Sequence, residues 1–380
     1  MSQIAQHRNK RVTLKDVARD AGVSAMTVSN VINNWPRVTA ETRNKVQVAI
    51  DALGYRPNTL ARGLVTGRTR TIGVVISDLL NPFFGQVVRG SEDVLYQAGY
   101  TILLCNTNED IHREHTYLEM LVSRGVDGLL MYGSRSTHQE IVEIVPSSLP
   151  IVAESSPIQK GNAIVIHLDN AGGAQQATRH LIDLGHRRIG HIAGPLVRPA
   201  GQLRVDGYRK ALSEAGIPDD PDLVVSGYPS MRGGYHAARQ LLLAQRPTAL
   251  FCFNDLMAFG AMAACSHLGI DIPGELALVG FDDVPMAAFV DPALTTIHID
   301  QYQMGRQAGE LLLQRLASGE ENWSQVEIPA QLVVRNSCGA QLLSKKQLQE
   351  MMERQAVSDG VDLYSISDTG LKQALKTRYK

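Results

Sequence analysis

From Thr71 onward, short apolar runs alternate with amphipathic segments of helical period, and few folds accept that alternation. The runs read "TIGVVIS", "YTILLCNT", "GVDGLLMYG", "PIVAES", "AIVIHLD", "RRIGHIAG", "LVVSGY", "ALFCFN", "LALVGFDD" and "TTIHID". Helix-length stretches separate most of them, at about 85–98, 112–124, 172–185, 202–215, 233–245, 256–268 and 302–318. Repeated strand–helix–strand units imply parallel sheets covered by helices on both faces. Ten or more strands are too many for one ordinary sheet, so the expected core is an α/β body of two lobes, each a doubly wound parallel sheet.

Polar residues gather where these strands end: Asp78 and Asn81, Asn106, Glu154, Asp169 and Asn170, Asn254 and Asp255, Asp282 and Asp283. In open parallel sheets, ligands bind beyond the carboxyl ends of the strands. The body is therefore expected to hold a polar small molecule in a cleft between its lobes.

The first 70 residues follow a different pattern. In "TLKDVARDAGVSAMTVSNVIN", Thr13 with Asp16 forms a capping-box variant. Leu14, Val17, Ala18 and Ala21 make one apolar stripe, and Gly22 supplies a turn. Ser24 caps a second helix with Val28, Val31 and Ile32 inward. Thr39 opens a third, with Val46, Ala49, Ile50 and Leu53 inside and Gly54 closing it. This is a small all-α headpiece. Residues 1–70 are also basic: twelve Lys or Arg face four Asp or Glu, whereas the remainder carries 25 against 34. Such asymmetry points to a polyanion as the partner of the head alone.

After Pro57, "NTLARGL" is long enough for about two helical turns, but Gly63 costs ~1 kcal/mol relative to alanine. Helices this short are marginal in water. Residues 58–66 are expected to be helical only when something else holds them.

The four cysteines (Cys105, Cys252, Cys265, Cys338) show neither CxxC nor metal-ligand spacing, and no metal or other cofactor is expected. No export signal and no bilayer-spanning apolar stretch is visible, so a cytoplasmic protein is expected. No GxGxxG opens a helix after the first strand, and no Ser-His-Asp or Cys-His set stands in a motif context, so an enzyme is not expected. A solute receptor of a transport system would share the body, but not the basic headpiece.

Residues 12 to about 339 resemble the lactose/galactose repressor family of bacterial transcription regulators. "TLKDVARDAGVSAMTVSNVIN", "VTAETRNKV" and "ALGYRPNTLARGL" are similar to its headpiece. "RTRTIGVVISDLLNPFF", "LDNAGGAQQATRHLIDLGHRRIGHIAG", "RVDGYRKAL", "FNDLMAFGAM", "LALVGFDD" and "ALTTIHIDQYQMG" are similar to its core. The resemblance implies a helix-turn-helix headpiece at 1–57, a hinge at 58–70, and a periplasmic-binding-protein-like effector core at 71–339. Within the core, the first lobe would comprise about 71–168 and 299–326, and the second about 169–298 and 327–339. Residues 340–380 lie outside the resemblance, an extension of unknown role.

The resemblance further implies a homodimer on a pseudo-palindromic double-stranded operator, acting as a repressor under control of a small polar effector. In a helix-turn-helix the second helix enters the major groove with its N-terminal side chains near base edges. Ser24, Ala25, Met26, Thr27, Ser29 and Asn30 hold that position, with Thr13 and Asn33 flanking. Ala25, Met26 and Asn30 are the base readers by motif position; the alternative for Met26 is a place in the headpiece core. Many members carry arginine where Asn30 stands. Asparagine pairs with adenine rather than guanine, so the usual half-site preference does not carry over directly.

In the hinge, Asn58, Ala61 and Leu64 fall on one side of a short helix. Leu64 holds the place of the family's minor-groove wedge, which unstacks a base step. A hinge that orders only on bent DNA makes switching an order–disorder event.

For the effector, the matching positions are Asn81, Phe83, Arg204, Asn254 and Asp282. Asp255 reads equally as a helix cap or a ligand contact, Asp169 and Asn170 read as caps, and Phe84 reads as core. Where relatives place an aromatic platform in the second lobe, "GYPSMRGG" puts Pro229 beside Tyr228. The effector is expected to be a sugar or sugar derivative, with Arg135 and Arg198 pointing to a sugar acid or phosphorylated ligand.

Overall fold

The computed structural model describes residues 12–32, 35–56, 68–154, 158, 162–319 and 323–342. The chain divides into two compact units, one ending at Arg70 and one starting at Thr71.

The first unit holds α1 (Leu14–Asp20), α2 (Ala25–Ile32) and α3 (Ala40–Leu53). The Thr13 N–H and hydroxyl both donate to the Asp16 carboxylate, at 3.0 and 2.7 Å. Ser24 Oγ accepts from the Thr27 N–H at 3.1 Å and so opens α2. Gly54 ends α3 in the left-handed region, where only glycine is unstrained. Val17, Val28 and Val46 are completely buried and, with Ala18, Val31 and Ala49, form the core. Ile32, Ile50 and Leu53 pack against it, partly buried. Arg43 of α3 donates to the Val31 and Trp35 carbonyls at 3.4 and 3.2 Å, which fixes the end of α2 against α3.

The second unit is built on three sheets. Five strands, β1 (Thr71–Ile76), β2 (Thr101–Asn106), β3 (Gly128–Tyr132), β4 (Ile151–Glu154) and β5 (Ala163–Leu168), join β11 (Ser324–Ile328) in a parallel sheet of order β11-β5-β4-β3-β1-β2. A second parallel sheet, order β7-β6-β8-β9, comprises β6 (Ile189–Ala193), β7 (Val224–Ser226), β8 (Ala249–Cys252) and β9 (Ala277–Val279). An antiparallel pair, β10 (Thr296–His298) and β12 (Gln331–Val333), connects to the end of β9 through the bridges Val279–Thr295 and Asp282–His298. The chain thus passes between the lobes after β5, after β10 and after β11.

β11 and β12 lie outside the apolar runs visible in the sequence. "SQVEI" alternates polar and apolar residues at a sheet edge, so it lacks a continuous hydrophobic run. Glu327 and Ile328, expected in the second lobe, belong to the first sheet through this strand.

The helices are α4 (Pro82–Gln97), α5 (Ile111–Ser123), α6 (His138–Ile144), α7 (Asn170–Asp183), α8 (Pro199–Glu214), α9 (Met231–Ala244), α10 (Asp255–Leu268) and α11 (Gln301–Ser318). Several begin two or three residues before the expected start. Pro82 and Pro199 open their helices, a position where the missing N–H has no intrahelical partner to lose. Helices pair through glycines at close crossings. A Cβ on Gly90 would come within 2.1 Å of the Tyr302 carbonyl oxygen, and one on Gly305 within 2.0 Å of that of Val87. This seats α4 directly on α11. Ser91 completes the contact, donating to the Gly305 carbonyl at 3.0 Å and bonding the Tyr132 hydroxyl at 2.8 Å. All four cysteines are buried and free, as small apolar side chains.

Candidate functional site

Every strand from β1 to β9 contributes, at or after its carboxyl end, a residue to one open cleft. The first sheet supplies Asp78, Asn81, Phe83 and Phe84 after β1, Glu109 after β2, Gly133 and Ser134 after β3, Glu154 from β4, and Leu168 from β5. The second sheet supplies Arg198, Pro199, Ala200 and Arg204 after β6, Pro229 after β7, Phe253 and Asn254 after β8, and Asp282 after β9.

All five residues expected at the effector site (Asn81, Phe83, Arg204, Asn254, Asp282) line this cleft. Two of them also cap helices. Asn81 Oδ1 accepts from the Phe83 N–H at 3.0 Å, starting α4, and Asn254 Oδ1 accepts from the Met257 N–H at 3.0 Å, starting α10. The N-terminal ends of both helices therefore face the ligand space.

Arg204 is the most constrained side chain. Its Nε donates to Asn170 Oδ1 at 2.8 Å, one Nη donates to the Phe253 carbonyl, and the other stands 3.6 Å from Asp282 Oδ1. Its guanidinium lies over the Phe281 and Phe253 rings at 3.6 and 4.4 Å from their centroids. Asp282 takes a positive φ of 109° at the end of β9, and its carbonyl accepts from the Gln301 side chain. Burial pushes its carboxyl up to about 7; Arg204 opposes that shift and Glu154 adds to it.

Asp255 is neither of the two things its position allowed. Asn254 is the cap, and Asp255 is completely buried, accepting from the Thr296 hydroxyl at 2.6 Å and the Val284 N–H at 2.8 Å. It anchors the β9 loop behind the cleft. Asp169 is the expected cap, bonding the Gly172 N–H at 2.8 Å, whereas Asn170 spends its side-chain oxygen on Arg204. Phe84 is buried yet also lines the cleft. Pro229 is in the wall, and Tyr228 beside it is half exposed, so the aromatic surfaces come instead from Phe83, Phe84 and Phe253. Phe253 precedes Asn254 in "FCFN", where it reads as the last residue of an apolar strand.

Arg198 is in the cleft, but its charge is already taken: it is paired with Glu109. Arg135 lies behind the wall, its Nη1 donating to the Glu109 carbonyl at 2.5 Å. Glu109 was not legible as a site residue, because "NTNED" looks like any polar turn. Glu114, buried on α5, holds the β3 loop by accepting from the Arg135 N–H at 3.0 Å, the Ser136 hydroxyl at 2.7 Å and the Ser134 hydroxyl.

In the first unit, Met26 is 71% exposed on α2, which settles its alternative place in the core. Ser24 and Thr13 are also exposed, and Ala25, Thr27, Ser29 and Asn30 are half-buried along α2. Asn33, Asn58, Ala61 and Leu64 lie outside the described residues.

Comparisons with known proteins agree with both units. Residues 13–58 match the model of bacterial regulatory proteins, lacI family, and residues 178–338 match a periplasmic binding protein-like domain. The HTH-type transcriptional repressor PurR of Pasteurella multocida is 36% identical over 333 residues, covering 87% of this chain and 99% of that protein. A lac repressor dimer bound to operator and the anti-inducer ONPF is similar with a TM-score of 0.77 and 29% identity, over 87% of this chain and 99% of the other. The transcriptional regulator CelR in complex with cellobiose is similar with a TM-score of 0.64 and 33% identity, over 86% and 100%. With a helix-turn-helix in its first unit and a cleft gathered from nine strand ends in its second, the chain belongs to the lacI family of bacterial regulatory proteins, as a DNA-binding transcriptional repressor with a ligand-binding domain.

Proposed function

We propose that this repressor binds a pseudo-palindromic operator as a homodimer in the cytoplasm and responds to a neutral sugar held in the cleft. The observation that carries the effector class is the charge of the lining. Asp78, Glu109, Glu154 and Asp282 face only Arg198 and Arg204, and each arginine is paired to one of those carboxylates. Carboxylates at the wall accept hydrogen bonds from hydroxyls, and Phe83, Phe84 and Phe253 offer apolar surface to the carbon face of a ring. A sugar acid, which Arg135 and Arg198 suggested from sequence, would meet an excess of like charge. The CelR relative with bound cellobiose supports the same class.

On DNA, α2 enters the major groove, with Ala25, Met26 and Asn30 reading bases and Thr13, Ser24, Thr27, Ser29 and Asn33 holding the backbone around them. Asn58, Ala61 and Leu64 follow in the central minor groove. An effector that favours one lobe arrangement changes operator affinity by ~1–3 kcal/mol. The test is a calorimetric screen of the purified protein against neutral sugars, sugar acids and nucleobases, with random-pool DNA selection run in parallel. Tightest binding by a neutral sugar is expected, and binding by nucleobases alone would replace this reading.

A further inference from the structure

We infer that Glu109 is the specificity-determining residue for ligand charge, a built-in anion that occupies Arg198 and makes the cleft reject anionic ligands. The inference rests on the cleft being the effector site. Glu109 comes from the loop after β2 and Arg198 from the residue before α8, so the pair joins loops of the two sheets across the ligand space. Both side chains are nearly buried, with 8% and 12% of their surface exposed. A carboxylate held there stands where the carboxylate or phosphate of a ligand would pair with the guanidinium.

The surroundings are those of an anion site already filled. Arg198 sits at the N-terminal end of the 16-residue α8, whose unpaired N–H groups favour negative charge. Arg198 uses one Nη on Glu109 and, at 3.5 Å, on the Gly133 carbonyl. Its Nε is buried with no hydrogen-bond partner among the described residues. Arg135 approaches from behind, bonded to the Glu109 carbonyl. Asp78 and the Tyr228 hydroxyl are near the pair, and Glu154, accepting from the Gly133 N–H at 3.0 Å, is close by; both carboxylates oppose an anion there. Without the Glu109 carboxylate, the Arg198 guanidinium and a helix terminus face an unfilled position, with Arg135 behind it.

The test uses the full-length protein and inorganic phosphate as probe, with thermal unfolding followed at fixed ionic strength. Glu109→Gln and Glu109→Ala are both made, and either one that folds decides. Wild type should show no saturable stabilisation by phosphate. The variant should gain one, with phosphate affinity raised about tenfold or more, the scale of a charge-assisted hydrogen bond. Adding Arg198→Gln should abolish the gain. A variant that responds like wild type, a wild type that already binds phosphate saturably, or a gain that survives Arg198→Gln would each overturn the inference. Neutral sugars titrated on wild type test the effector class separately: their failure to bind sinks that class and leaves the phosphate comparison intact.

Discussion

Arg204 stands 3.6 Å from Asp282, yet the Asp282 carboxyl is pushed up to about 7, because burial outweighs the guanidinium beside it. Between about pH 4 and pH 7 the unfolded chain releases this proton while the native state retains it. The native state then binds more protons, so this carboxyl makes stability fall as pH rises through that window. Asp282→Asn should remove that slope, on the order of 4 kcal/mol across the window, measured by denaturant unfolding at several pH values. It should also weaken effector binding, since an amide offers one acceptor oxygen where the carboxylate offers two.

His191 works in the opposite direction. It is fully buried between the rings of Phe251 and Tyr208, 4.6 and 5.2 Å away, with Nδ1 bonded to the Phe251 carbonyl and Nε2 without a partner among the described residues. Burial lowers it from 6.5 to about 4. As pH falls across that interval the unfolded chain takes up a proton that the native state resists, and stability is lost, by about 3 kcal/mol. His191→Phe keeps the stack and should remove the loss. The two residues offset each other between pH 4 and 6.5, so wild type should be flatter there than either variant. A His191→Phe profile parallel to wild type would mean that the imidazole is not held neutral.

Gly305→Ala should destabilise the core unit by about 1–3 kcal/mol, despite the better helix propensity of alanine. The added methyl meets the backbone oxygen of Val87, which no rotamer change can move aside. Thermal unfolding checks this, and the exposed, open Gly85→Ala serves as control.

Operator affinity should fall steeply with salt, because the twelve Lys or Arg of residues 1–70 displace counterions from phosphates. Leu64→Ala should reduce affinity sharply at every salt concentration while leaving the slope unchanged, since leucine contacts no phosphate. Fluorescence anisotropy across a salt series separates the two terms, and unchanged affinity would remove the wedge.

Much of the fold was legible because burial on both faces makes strands read as continuous apolar runs, as in "TIGVVI" and "ALFC". The same logic hid β11, whose residues alternate at an edge, and the first turns of α4 and α8, which open on proline. At the site, Asn81, Arg204, Asn254 and Asp282 were accessible because strand ends and family motifs coincide there. Glu109 and Ser134 were not assigned, and Arg198 was read as a cation for an acidic ligand rather than as the partner of Glu109, since their meaning depends on which loops the two sheets bring face to face. That pairing is set by long-range topology, and no local pattern encodes it. Asp255 shows the converse: a residue in the right motif, one position from a wall residue, turned inward to hold a loop.

Asn81 and Asn254 serve at once as cleft wall and as the opening residue of a helix. Replacing either to suit a new ligand also removes a cap, at about 1 kcal/mol each. Glu109, Ser134 and Ala200 open no helix. Divergence toward other effectors should therefore run through those three places first, with the two asparagines persisting as a common frame while the chemistry recognised between them drifts.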